Sequence, residues 1–461
     1  MKRAPAGSIR LDMSTRADRW RSITGIDFHI AITLLLRSWN ILAGGVMVFV
    51  IPATLDPAQQ GYYFTFSSLL ALQIFFELGL NQVVAQIVSH EMASVAPNSA
   101  DLLSGSDAHL DRIRSVVAML RKWYAVAATL FALSTITIGL LMFERNGALP
   151  THAWLGPWLA LTLLTAANLY MSPMLAVLEG CGHVGQVARV RLAQSMIGYG
   201  LAWVALLCGA GLWAIPLVAG TTTVSTALWL RHDGHLLRTF DSAAPIPRER
   251  AVDWRREVLP YQWRIAVSWI SGYLMFQLFT PLTFVNLGAV AAGRLGMSLA
   301  IFNALQSVGV SWINAKIPAM TAHVSRRESR DLDRTFFAVV SRSVCFTLAA
   351  AAGLLGAVIV AGIHGMPVVD RLADLATLCC IACVTVVNTI VYGAATFMRA
   401  HRREPMTPVS IVVAVLTLLG AYVGSKHGIF FTMLPLTIAT TFVALPWTCL
   451  IFRGFRNRDA E

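Results

Sequence analysis

The sequence predicts an all-α, polytopic membrane protein with about twelve transmembrane helices in two pseudo-symmetric six-helix lobes. Three observations predict it. Hydrophobic residues make up 56% of the 461 residues and charged residues only 13%, against about 25% charged in an average soluble domain, and mean hydropathy is +0.63. Apolar runs long enough to cross about 30 Å of hydrocarbon recur along the whole chain. The two halves of the chain also echo one another.

The runs fall near residues 30–51, 61–89, 123–143, 154–178, 190–209, 211–230, 259–285, 291–320, 336–363, 372–398, 406–424 and 428–452. A polar stretch carrying Lys2, Arg3, Arg10, Arg16, Arg19 and Arg21 precedes the first run, and no cleavage site follows an apolar core, so residues 1–29 are expected to be a cytoplasmic tail before an uncleaved helix. The first two runs are separated by the breaker segment Pro52-Ala-Thr-Leu-Asp-Pro-Ala-Gln-Gln-Gly61, read as a tight turn. Before the third run, Ser106-Asp107 is positioned to cap a helix in which Ile113, Val116, Val117 and Leu120 share a face, while Arg112, Arg114 and Arg121 lie off it. That pattern predicts a helix lying at the membrane interface. The segment 232–257, with Pro245-Ile-Pro247, is read as a cytoplasmic linker between an N-lobe over 30–231 and a C-lobe over 258–453, with residues 454–461 as a tail.

The internal echo rests on ordered pairs. Trp39 and Trp269 differ by 230 and Gly61 and Gly293 by 232; the segments 111–122 and 331–342 align at 220; His183 with His401 and Trp229 with Trp447 follow at 218, and Gly211 with Gly428 at 217. A slowly drifting offset is what a duplication with a few deletions leaves. Six spans repeated in one orientation imply a parallel repeat about an axis along the membrane normal, with a solute site between the lobes.

Charge placement fixes the expected topology. Of the 36 Lys and Arg, 28 fall in the tails and alternate loops, four in the opposite loops (Arg145, Arg294, Arg371, Lys426) and four inside spans. The positive-inside rule then places both termini in the cytoplasm. The net charge of +12 therefore marks topology, not nucleic acid. The seven cysteines lie mostly in apolar runs and read as packing groups, and Cys379-Cys380-Ile-Ala-Cys383 resembles a redox pair only as a string. His232-Asp-Gly-His235 lacks a third ligand, and no phosphate-binding G-x-x-x-x-G-K-[ST] occurs. The chain is read as a non-enzyme with no cofactor and no metal. A polytopic glycosyltransferase would want acids in an outer loop, and the first such loop offers only Asp56.

The layout, the Gly61-Tyr-Tyr-Phe64 segment, Phe76-Glu-Leu-Gly-Leu80 and Leu178-Glu-Gly-Cys-Gly182 resemble the multidrug/oligosaccharidyl-lipid/polysaccharide (MOP) exporter superfamily, nearest to its Wzx-like polysaccharide flippases. The resemblance implies a V-shaped pair of lobes around a central cationic cavity. It also implies movement of an undecaprenyl-diphosphate-linked glycan from the inner to the outer leaflet by alternating access. Partners expected on this basis are the lipid-linked glycan, membrane lipids, H+ or Na+ and polysaccharide polymerase machinery, for a protein expected to be a monomer. The alternative is a MATE-like, ion-coupled exporter of small amphipathic compounds.

Intramembrane charges are the candidate site residues. Arg37, Arg264, Lys316 and Arg294 lie in or at the ends of spans 1, 7 and 8, and Arg offers a planar fork suited to phosphate oxygens. Arg264 and Lys316 are also within snorkelling reach of the cytoplasmic end, and Arg342 reads as a topology anchor. Glu77 is an acid in the middle of span 2, costly unless it has a partner or water. Arg37 lies about 14 residues and Glu77 about 16 residues from the intervening turn, roughly 21 to 24 Å below one surface, so they are expected to be able to pair. Three readings of Glu77 stand: a structural or gating pair with Arg37, a proton or sodium coupling site, and simple placement in a wet cavity. Tyr261, Trp263, Trp269 and Tyr273 suit either sugar stacking or, preferentially, the membrane interface.

Overall fold

The computed structural model describes residues 28–93, 107–232, 251–326, 328–401 and 405–460, together with 237, 240 and 247. The basic tail before Phe28, the cap position Ser106, His235 and most of the expected linker lie outside the described residues. Among the described residues every regular element is helical. Eleven helices are long and apolar enough to cross a membrane, or twelve with one bent pair counted as a span. Large apolar side chains such as Phe49, Leu207, Ile363 and Phe442 stand exposed on the outside of the bundle, as lipid-facing residues do. The chain is a multi-pass membrane protein.

Helix α1 (Phe28–Thr54) keeps Pro52 inside it, so the expected breaker segment is mostly helical. The chain turns only at 55–56. Asp56 ends the turn because its carboxylate accepts from the Gln59 N–H at 2.8 Å while the Gln59 amide oxygen accepts from the Asp56 N–H at 3.3 Å, a capping box completed by Pro57 in the first turn of α2 (Pro57–Leu70). Gly61 to Phe64 are thus helical. Helix α2 runs through a 3-10 turn into α3 (Ile74–Glu77), and α4 (Leu80–Met92) follows. Leu78 and Gly79 adopt left-handed φ values of 49° and 68°, and the two parts of span 2 meet at 44°.

Helix α5 (Asp107–Asn146) has 40 residues, about 60 Å at 1.5 Å per residue. The predicted face of Ile113, Val116, Val117 and Leu120 is buried, but within the protein, in one cluster with Leu80, Val83, Val84 and Val88 of α4 and Leu169 of α6 (Thr151–Gly180). The expected separate interfacial helix is therefore the first part of a transmembrane one. Its apolar stripe finds protein partners along its length, so nothing favours a break. The first half ends with α7 (Val184–Leu207) and α8 (Ala214–His232).

A π-helical turn, Trp254–Val258, leads into the second half. There follow α9 (Leu259–Phe276), α10 (Phe279–Leu287), α11 (Ala289–Gly309), α12 (Ser311–Ser325), α13 (Ser329–Ile363), α14 (Leu375–Ala400), α15 (Thr407–Gly424), α16 (Ile429–Ile438), a π-helical stretch Ala439–Ala444 and α17 (Leu445–Ala460). Packing is dense within each half: α1 on α7 and α6 on α5 in the first, α13 on α14 and α9 on α15 in the second. The halves meet most closely where α2 crosses α11, near the connections at 55–56 and 288. Gly61 and Gly293 make this crossing possible. A Cβ on Gly61 would lie 1.9 Å from the Ala289 carbonyl oxygen, and one on Gly293 would lie 2.8 Å from the Gly61 nitrogen. The buried Gln60 amide donates across the seam to Gly293 O at 2.9 Å and Arg371 O at 3.1 Å. Phe284 of α10 stands edge-on to Tyr62 with ring centroids 5.0 Å apart, inside a cluster with Phe66, Phe143, Trp154 and Trp158.

Candidate functional site

The break in span 2 positions Glu77. Gly79 approaches α9 so closely that a Cβ there would lie 2.3 Å from Ile265 Cγ2, and its left-handed φ is one that glycine adopts without steric cost. Helix α3 therefore stops at Glu77, leaving this half-buried carboxylate at a helix end between the halves. The Tyr124 hydroxyl lies within electrostatic reach of it and donates to Asn81 Oδ1 at 3.0 Å, while the Asn81 amide donates to Ser172 Oγ at 3.2 Å. Glu77 thus borders a neutral polar chain that joins α4, α5 and α6.

Arg37 is exposed on α1. Its helix is held by α7, where Ser195 Oγ donates to Asn40 Oδ1 at 2.5 Å and Trp203 packs on Trp39 at 6.0 Å, and by α11. Among the described residues no ion pair joins Arg37 to Glu77. Equal depth was the basis of the expected pair, and depth says nothing about position around the bundle: α1 packs chiefly on α7 and α11, α3 on α9 and α5.

The four expected cations do not form one cluster. Arg294 and Lys316 lie 22 residues apart on span 8, roughly 33 Å along the helix axis. Arg294 is exposed near the α2–α11 crossing, and its Nε donates to the Asp370 carbonyl at 2.9 Å, anchoring the 369–371 turn. Lys316 is exposed on α12 near the opposite end. Arg264 lies in the second turn of α9; its side chain is outside the described residues. Of the span 7 aromatics, Tyr273 is 4% exposed and donates to Ser68 O at 3.3 Å, a contact between halves and not a sugar platform.

A cavity of about 550 Å³ lies instead within the second half. It is lined from α9, α11, α14, α15 and the π-helical stretch, by Gln277, Asn303, Gln306, Asn388, Tyr392 and Arg399 among others, and among the described residues no Asp or Glu lines it. The amide residues were missed because the sequence was searched for charge. Their signal was legible as uncharged amides inside the runs 259–285, 291–320 and 372–398. Among the described residues no group of three or more His, Cys, Asp or Glu is placed to hold a metal ion.

In fold the chain is similar to solved transporters of the MOP superfamily. It is similar to a multidrug-resistance MATE family transporter of that superfamily in an inward-facing conformation, with 14% identity, TM-score 0.61, and 93% of this chain and 98% of the other covered. The lipid II flippase MurJ, in an inward closed conformation, matches with 11% identity and TM-score 0.56 over 92% and 87%. A MOP superfamily transporter from Pyrococcus furiosus, whose reversed binding-pocket polarity suggests a different function, matches with 14% identity and TM-score 0.53 over 93% and 94%. No protein-family profile matches the sequence, and no curated protein matches it. Identities this low establish the architecture and leave the substrate to the site.

Proposed function

We propose that the protein is a transporter, not an enzyme, that flips a lipid-diphosphate-linked saccharide across the cytoplasmic membrane by alternating access, with both termini in the cytoplasm. The observation that carries this reading is that the described residues lining the cavity include no carboxylate and offer amides, hydroxyls and Arg399. A cationic drug gains little from such a lining, whereas a hydroxylated headgroup can hydrogen-bond to it. The diphosphate would be met by Arg37, Lys316 and Arg264, and the polyprenyl tail would stay in lipid, avoiding about 0.8 kcal/mol for each CH₂ brought into water. The α2–α11 crossing would be the gate that opens to release the headgroup.

The test is flipping by the purified protein in liposomes that contain a polyprenyl-diphosphate-linked N-acetylglucosamine. Protein should raise the fraction of sugar accessible to an externally added galactosyltransferase well above the protein-free rate. If no lipid-linked sugar becomes accessible, and cells expressing the protein instead resist amphipathic cations, the reading moves to its alternative, an exporter coupled to H+ or Na+. Glu77, a carboxylate with no ion pair among the described residues and lying beside Tyr124 and Asn81, is the feature that favours that alternative.

A further inference from the structure

We propose that the second-half cavity is a saccharide subsite: an amide-rich pocket that takes an uncharged, hydroxyl-bearing ring. The proposal rests on the flippase reading above and names the part of the substrate that this pocket would hold. Gln277, Asn303, Gln306 and Asn388 come from three different spans and line one cavity. Among the described residues none of their side-chain amides hydrogen-bonds to the protein. Each amide carries two N–H donors and a carbonyl acceptor; Gln277 and Asn303 are exposed and Gln306 and Asn388 half-buried, so these groups stay open to water. A ligand that enters must replace the hydrogen bonds they make to water, so four amides converging on one space select a ligand rich in both donors and acceptors.

The backbone points to the same place. Span 7 is interrupted at Gln277 and Leu278, between α9 and α10; span 8 at Val310, between α11 and α12; span 12 turns π-helical over Ala439–Ala444. Gln277, Val310 and Thr440 all line the cavity. Irregular helix inside a membrane bundle survives where it borders a cavity, and π-helical turns concentrate at functional sites. Three of six spans lose regularity around one cavity.

The chemistry selects the ligand class. Among the described lining residues no carboxylate is present to hold a metal or an organic cation, and a quaternary ammonium group could not satisfy the amides. A sugar ring presents hydroxyls that donate and accept around its rim and C–H groups on its faces. Phe276 and Tyr392 in the lining offer aromatic surface for those faces, and the Tyr392 hydroxyl, which donates to Asn314 Oδ1 at 2.6 Å, keeps its acceptor lone pairs. About 550 Å³ falls within the range usual for small-ligand pockets, about 300 to 1,000 Å³.

The test compares two probes on the full-length protein in nanodiscs: a polyprenyl diphosphate without sugar, and the same lipid diphosphate bearing glucose, galactose, N-acetylglucosamine or N-acetylgalactosamine. At least one sugar-bearing probe should bind about tenfold tighter than the sugar-free one. The double variant Asn303→Ala with Asn388→Ala should erase that preference and leave sugar-free binding unchanged. That retained binding also reports a folded protein. Should the double variant lose both, Gln306→Ala alone should reduce the preference without touching sugar-free binding. A preference that survives these substitutions, or sugar-free binding with no preference for any of the four sugars, overturns the subsite and leaves the flippase reading intact. Failure to bind any of the probes overturns the flippase reading and the subsite with it.

Discussion

Glu91 is 7% exposed and has two basic neighbours. His109 Nδ1 lies 2.6 Å from one carboxylate oxygen and Arg112 Nε donates to the other at 2.8 Å. Arg112 also pairs with Glu257 through its second guanidinium nitrogen, and Glu257 accepts from the Asp253 N–H at 3.0 Å. Four charged or titratable side chains thus tie the ends of spans 2 and 3 to the segment entering span 7. Removing the buried member costs Arg112 one charged hydrogen bond while leaving it paired with Glu257, so Glu91→Ala should lower stability by about 1 to 3 kcal/mol, read as a fall in thermal unfolding temperature in detergent. Unchanged unfolding would show that the network contributes nothing. Arg37 and Glu77 should behave in the opposite way. With no ion pair between them, the effects of Arg37→Leu and Glu77→Gln should add within about 0.5 kcal/mol, and the swap Arg37→Glu with Glu77→Arg should not restore folding. A swap that recovers the folded yield lost in the single variants would contradict the placement seen here.

At the scale of elements, the crossing of α2 and α11 depends on what two glycines leave out. A leucine at position 61 would drive its Cβ into the Ala289 backbone, and backbone cannot rotate aside as a side chain does. Gly61→Leu should therefore wedge the halves apart at this end. In a background lacking the seven native cysteines, a cysteine replacing Asn146, whose amide now donates to Val285 O at 2.9 Å, should react about tenfold faster with a membrane-impermeant maleimide. That factor corresponds to about 1.4 kcal/mol of shift between closed and open arrangements. Equal labelling with and without the leucine would mean that this crossing is not a moving seam.

For the whole molecule, two residues paired in the expected repeat meet face to face. Gly61 and Gly293, paired in the sequence at an offset of 232, pack against each other, as equivalent residues beside a two-fold axis do. The long helices α5 and α13, which contain the segments aligned at 220, occupy equivalent places in the order of the two halves. Because the Tyr62 and Phe143 cluster is completed by Phe284 from the other half, neither half buries that face alone. Residues 1–240 and 241–461 expressed as separate chains should copurify, and either expressed by itself should aggregate on extraction. A monodisperse single half would show that the crossing adds little to stability.

Much of this was legible in the residues, and the limits have physical causes. Hydropathy located the spans because each must cover the same thickness of hydrocarbon whatever its neighbours, and the buried face of Ile113, Val116, Val117 and Leu120 followed from helical period alone. The turn at Pro52 to Gly61 was misplaced because proline is tolerated inside membrane helices, while the cap at Asp56 and Gln59 decided where the chain bends. The break at Leu78-Gly79 was invisible because it depends on the approach of Ile265, nearly 190 positions away.

The sequence by itself determined the all-α membrane fold and the approximate count of spans, since these follow from periodicity and composition that each segment carries locally. Only the tertiary structure decided which polar groups share a space. It separated Arg37 from Glu77 and Arg294 from Lys316, and it gathered Gln277, Asn303, Gln306 and Asn388 around one cavity. Depth in the membrane can be counted along a helix. Position around the bundle is set by how helices pack, through close approaches such as those at Gly61 and Gly79, and no single segment encodes it.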